Sequence, residues 1–155
     1  MPDHKFAESI RTTKKFFDNG TKCFEESDSA FTPKPGMFTL AQQVAHTAQT
    51  IEWFIEGAFR PEGMRTDFEA IEKEIRAVKS LKDARAWMDR ACANAIGMIE
   101  KKSAADFEMP IAGAIMTGEP RRAIFEAIAD HTAHHRGALA VYARLIGKVP
   151  PMPYS

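Results

Sequence analysis

The segment from Ile124 to Ile146 fixes one long helix and puts polar side chains where a helix usually keeps apolar ones. Ile124, Ile128, His131, His135, Leu139, Tyr142 and Ile146 follow one another at steps of three or four. That spacing stacks side chains on one face. The run reads as a core seam, and His131 and His135 stand inside it, one turn apart. His134 lies roughly 100° round the helix from His135, on a flank with Ala127, Asp130 and Val141. Gly147 follows as a natural C-terminal stop, with Pro150, Pro151 and Pro153 beyond it.

The rest of the chain is helical in pattern, with no convincing strand alternation and no internal repeat. A first helix is expected over 4–27, with Phe6, Ile10, Phe16 or Phe17, and Phe24 on its apolar side and a weak point at Asn19-Gly20. Pro33, Pro35 and Gly36 then force a loop. Thr39 and Gln42 fit a capping box that opens a second helix, 39–59. Its stripe is Leu40, Val44, Ile51, Phe54, Ile55 and Ala58. The segment "TDFE", 66–69, reads as another capping box, opening a short helix to about Lys79. Ser80 reads as the cap of a helix over 81–102, although 66–102 could also form one bent element. Leu81, Trp87, Met88, Ala91, Ala95 and Ile99 face inward there. Residues 103–118 read as loop, and the last helix as 119–147, with Pro120 in its first turn.

Four long helices, one short helix and no sheet make the fold class all-α, and a four-helix bundle is the economical arrangement for a single domain spanning 1–155. The long link between the second and fourth long helices, with its own short helix, points to a crossover path rather than up-down-up-down.

Charge bears on partners. Lys plus Arg and Asp plus Glu number 21 each, so bulk electrostatics gives no ground for a nucleic-acid or anionic-membrane partner. No apolar run reaches the roughly 20 residues that span a bilayer, and "MPDHKFAESI" has no apolar signal core. Cys23 and Cys92 form no CxxC and read as free thiols in a reducing cytoplasm.

Two histidines at i, i+4 on a buried face can converge on one cation, and each otherwise needs a hydrogen-bond partner in the core. His46, in "QQVAHTAQTIEWF", sits at the edge of the second helix's stripe, beside Gln43, Thr50 and Trp53. Read alone it is an exposed polar residue; beside the His131/His135 pair it is the best third ligand. Three imidazoles without a fixed fourth ligand leave positions open for water or substrate, as in catalytic rather than structural sites. His4 reads as a solvated N-terminal residue. Gln42 or Gln43 could donate to a cation-bound water or simply serve the helix, and Trp53 could be a cavity wall or core.

The histidine of the second helix, "HTAHHRG" on the last helix, the aromatic-containing apolar run after it, the Gly cap and "VPP" together resemble the DinB/YfiT-like superfamily of metalloenzymes. The resemblance implies a four-helix bundle of up-down-down-up topology and a divalent metal held by one histidine of the second helix and two of the last. Carried over, these are His46, His131 and His135. It also implies a homodimer. The family often has Gln after His-Arg-Gly, where Ala138 stands here. Gly137 is expected to let a neighbouring helix approach closely, and Arg136 to make a surface or interface ion pair, with an anion clamp as the alternative.

The resemblance leaves several activities open. The first is activation of a low-molecular-weight thiol by the metal for S-transfer to an electrophile. The second is metal-assisted hydrolysis, against which stands the lack of an obvious general base: Glu52 is on another side of its helix from His46, and Asp130 only neighbours the motif. The third is a non-catalytic metal-binding or interaction bundle. Zinc or nickel suits three imidazoles best, with iron or manganese also possible. The partner expected beyond the second protomer is a small-molecule substrate. No residue is assigned a catalytic role.

Overall fold

The computed structural model describes residues 4–155; the side chain of His4 lies outside the described residues. Six α-helices are present: α1 His4–Thr21, α2 Leu40–Phe59, α3 Phe68–Arg76, α4 Leu81–Ile99, α5 Ala104–Glu108 and α6 Ile124–Leu145. Short 3-10 turns cover Glu26–Asp28 and Arg121–Ala123. The described residues contain no strand, only an isolated antiparallel bridge between Pro110 and Pro120. The helix α1 packs on α4 and α6, and α2 packs on the same two.

The caps explain where most helices begin and end. Thr39 and Gln42 form the expected capping box. Gln42 also donates from Nε2 to the Arg76 carbonyl (3.0 Å), which ties the start of α2 to the end of α3. Ser80 caps α4 by accepting from the Asp83 N–H, so 66–102 forms two helices rather than one bent one. At the end of α6, Gly147 has φ +76. The Lys148 N–H donates to Ala143 O (2.9 Å) and the Gly147 N–H to Arg144 O (3.1 Å). These are the two bonds of a Schellman stop.

Several boundaries depart from the sequence reading: α4 ends at Ile99 rather than 102, and the last helix starts at Ile124, after a 3-10 turn over Arg121–Ala123, rather than at 119. The first helix ends at Thr21 rather than residue 27. Arg85 of α4 donates to the Thr21 carbonyl (2.8 Å), the chain turns there, and Phe24 drops into the core. The "TDFE" capping box does not form: the N-cap is Asp67 rather than Thr66, its carboxylate is paired in two hydrogen bonds with Arg65 and makes no cap bond, and Phe68 is the first residue of α3. That helix ends at Arg76, short of Lys79. Finally, 103–118 is not all loop. Ser103 and Asp106 form a capping box that opens α5, and α5 buries Phe107 against the rings of Phe6, Phe59 and Phe125.

The core follows the predicted stripes. Ile10 and Phe17 of α1 are buried, as are Leu40, Val44, Ile51, Ile55 and Ala58 of α2. The partners across the bundle are Met88, Ala91, Ala95 and Ile99 of α4 and Ile124, Ile128, Leu139 and Tyr142 of α6. The helix α2 is the central one: Gln43, Thr47, Gln49 and Thr50 are buried in it alongside the apolar stripe. Near its end, a Cβ on Gly57 would meet Met64 Cγ at 2.2 Å, so the loop after α2 can close onto the helix only because this residue is glycine. Among the described residues, no helix is long and apolar enough to cross a membrane.

Candidate metal centre

The interface of α2 with α6 brings three histidines together. His46 projects from the middle of α2, and His131 and His135 from consecutive turns of α6. Ring centroids of His46 lie 5.1 Å from His131 and 4.5 Å from His135, edge-on to both. The His131 and His135 rings are 4.4 Å apart, with their Nε2 atoms 3.1 Å apart. One ligand nitrogen from each of the three rings lies within 4.8 Å of the others. None of the three side chains is exposed.

His134 is exposed. Its ring stands perpendicular to that of His135 at 4.9 Å, and it is not a member of the three-nitrogen cluster. The pairing at i, i+4 is therefore the one that faces His46, and the i, i+3 pairing of His131 with His134 is not.

The cluster's electrostatics favour neutral rings. Burial, reinforced by the neighbouring imidazoles, pulls the pKa of His131 down to about 4 and that of His135 down to about 3. Burial lowers His46 in the same direction, with His134 adding to it. A neutral imidazole carries one donor and one lone pair, and the lone pair is what a cation binds.

Among the described residues, His46 Nδ1, His135 Nδ1 and Gln43 Oε1 are buried without a protein partner, as are Arg121 Nε and Thr132 Oγ1 outside the cluster. Each such orphan costs about 1–3 kcal/mol, but the nitrogens of His131 and His135 that face each other are Nε2, and the fit to a cation rests on that geometry. Around a tetrahedral or octahedral cation with N–metal bonds of about 2.1 Å, ligand nitrogens stand about 3.0–3.4 Å from one another. The His131–His135 separation already has that value, and a side-chain adjustment of His46 brings in the third. The donor set, three neutral imidazoles with no thiolate, fits an open site for a borderline divalent cation rather than a closed structural one.

On the solvent side of the cluster is a cavity of ≈ 210 Å³ lined by His46, His131, Gln49, Thr50, Trp53 and Phe54 of the bundle and by Phe68 and Ile71 of α3. Trp53 is thus a wall of the site, held by its indole N–H donating to Arg65 O (2.8 Å). Sequence spacing does not reveal Phe68 and Ile71. They reach the site through the fold of the crossover, and the amphipathic pattern of α3 is the only local signal they leave.

Several other residues have structural roles. Gln42 is consumed by its capping box and by Arg76. Among the described residues Arg136 makes no ion pair; it donates to the Tyr154 hydroxyl (3.2 Å) and lies over that ring. Gly137 has nothing within 4 Å of where its Cβ would be, so within this chain it serves no close helix approach. Glu52 accepts from Trp87 Nε1 of α4 (2.8 Å) and does not line the cavity; burial raises its carboxyl pKa, partly offset by that bond. Cys23 and Cys92 are free thiols, and burial pushes Cys92 up to about 12.

An all-helical chain whose inner helices present three imidazoles to one point defines a class, the helical bundles with a candidate three-histidine metal site. Within that class this chain belongs to the DinB superfamily, whose sequence profile matches residues 12–139. The match takes in all three histidines and the aromatic wall beside them. No curated protein matches the chain.

Proposed function

We propose that His46, His131 and His135 hold one divalent cation, zinc or nickel, with iron or manganese as further possibilities, and that the protein uses it to activate a small thiol for S-transfer to an electrophile. The observation that carries this reading is the convergence of three neutral imidazoles beside a cavity with no charged side chain in its lining. A cation held there by His46, His131 and His135 would supply Lewis acidity and favour the deprotonated form of a thiol brought to it.

The chain's own residues do the rest. Three uncharged donors leave the positive charge of the site undiminished. Trp53, Phe54 and Ile71 keep water from the electrophile. The thiol proton leaves to solvent, sulfur bonds to the electrophilic carbon, and the leaving group departs with the electron pair of the bond that breaks.

Hydrolysis from the same site is the second reading. The absence of any carboxylate among the cavity's lining residues disfavours it, because water activation ordinarily calls on a nearby base. Metal-loaded protein assayed against a panel of thiols with alkyl halides and epoxides, and against esters and amides, separates the readings. Turnover in the thiol panel alone supports S-transfer. Turnover in the ester or amide panel alone supports hydrolysis, and none in either favours a binding bundle.

We further propose that the four long helices run up-down-down-up, that the chain acts in the cytoplasm, where its free thiols stay reduced, and that it forms a homodimer. Val141 and Leu145, one turn apart on the outer face of α6, are 54% and 58% exposed. Such a pair fits a self-complementary apolar face.

A further inference from the structure

The cavity beside the histidines has a lining that selects its occupant. Its walls are the rings of Trp53, Phe54 and Phe68 and the side chain of Ile71. Trp53 meets Phe54 edge-on at 5.0 Å and Phe68 at 6.4 Å, so the three rings form a continuous aromatic corner. Of the polar groups in the lining, the Trp53 indole and the Thr50 hydroxyl are spent inside the protein, and the Gln49 amide is left as one polar group beside the rings. The Trp53 indole N–H donates to Arg65 O. The Thr50 hydroxyl donates to His46 O (3.0 Å) and also lies 3.5 Å from Gln49 Oε1. What remains for a ligand is a largely apolar wall of rings, the Gln49 amide, and the His46 and His131 rings.

Size narrows the choice. A dry cavity of ~150 Å³ lined by aliphatic and aromatic side chains is known to hold benzene, so ≈ 210 Å³ accommodates a ring with one short substituent. A polar thiol carrier of sugar or peptide type would leave its hydroxyls or amides unpartnered against these walls, at a cost for each. The aromatic corner therefore suits the other reactant.

We propose that Trp53, Phe54, Phe68 and Ile71 form the acceptor subsite, and that it takes a compact electrophile bearing a flat apolar ring, with its reactive carbon directed toward His46 and His131. The assignment of the ring to the electrophile rests on the thiol-transfer reading; the ring subsite itself does not. Phe68 is the exposed edge of this subsite. It is the first residue of α3 and 56% exposed, an aromatic lip at the mouth whose burial by a bound ring is favourable.

The test uses the full chain labelled with ¹⁵N, in metal-free and zinc-loaded form, titrated with benzyl alcohol and with glycerol. Binding is read from the Trp53 indole N–H resonance, with Trp87 as internal reference. Benzyl alcohol is expected to move the Trp53 signal saturably in both forms, with an affinity at least tenfold above that of glycerol. Phe68→Asp, at an exposed position and with its fold checked by the dispersion of the remaining resonances, should weaken benzyl alcohol at least fivefold while zinc uptake stays unchanged. Equal affinities for the two probes, or a benzyl alcohol affinity indifferent to Phe68→Asp, overturns the subsite. Benzyl alcohol binding that survives in a protein unable to take up zinc would support the subsite and overturn the metal centre. Zinc uptake without ring preference would do the opposite.

Discussion

His131 and His135 hold their Nε2 atoms 3.1 Å apart, which two imidazoles do comfortably only if at most one of those nitrogens carries a proton. With both rings protonated, two N–H groups would point at each other in a partly buried setting. Helical geometry fixes this contact: residues four apart on α6 share one face, and His46 closes the third side from α2. The same closeness that depresses proton affinity prepares the pair to share one cation.

A pH dependence of stability follows. The folded-state values for His131 and His135, about 4 and about 3, lie below the unfolded value near 6.5. Between those limits the unfolded chain binds more protons than the folded one, so folding stability falls as pH falls. The contribution is complete above about pH 6.5 and is lost progressively toward pH 3. Urea denaturation of metal-free protein at pH 7.5, 6.0 and 4.5 should show a falling midpoint. The double variant His131→Gln, His135→Gln should flatten that trend. A wild-type midpoint that rises on acidification would contradict the neutral-ring description.

Two loops meet through glycines, and the encounter is testable. Gly63 has φ +80, and a Cβ there would lie 2.2 Å from Ala112 O; Gly118 has φ +82 and open space around it. Both alanine substitutions incur the left-handed backbone cost of about 1–2 kcal/mol, but only Gly63→Ala adds a backbone clash, worth about 1–3 kcal/mol of overpacking. Gly63→Ala should therefore destabilise the protein by at least about 1 kcal/mol more than Gly118→Ala in chemical denaturation. Equal effects would mean that the loop contact is not tight.

How much of this was legible in sequence depends on the range of the forces involved. The α6 seam, the Thr39 and Ser80 caps and the Gly147 stop are local, set by residues within a turn or two, and they appear where the spacing places them. The convergence of His46 with His131 and His135 was also foreseeable, because the edge of one stripe and the centre of another define facing surfaces. One boundary that departed was decided by a distant partner. Arg85 terminates α1 from 64 residues away; at α3 the cause is local, the N-cap falling on Asp67, whose carboxylate Arg65 holds, rather than on Thr66. Ser103 to Asp106 is a local capping pattern, but a helix of five residues leaves too short a periodicity to recognise. Phe68 and Ile71 belong to the site only because the crossover lays α3 beside His46 and Trp53, and no spacing within α3 encodes that.

The proposed dimer makes a simple prediction. Light scattering at micromolar concentration should give twice the 17.3 kDa chain mass. Val141→Asp with Leu145→Asp should reduce it to a single chain that keeps the helical circular dichroism of the wild type, since both positions are exposed within one chain. A single-chain mass for the wild type would remove the dimer.

The central claim is that three particular histidines make one metal site, and paired substitutions test it with a built-in control. Wild-type protein, His135→Ala and His134→Ala are each incubated with zinc, freed of excess by gel filtration and assayed by elemental analysis. The wild type should hold one zinc per chain. His134→Ala should keep most of it, because that ring stands outside the cluster, and His135→Ala should hold almost none. Full occupancy in His135→Ala, or its loss in His134→Ala alone, would contradict the account.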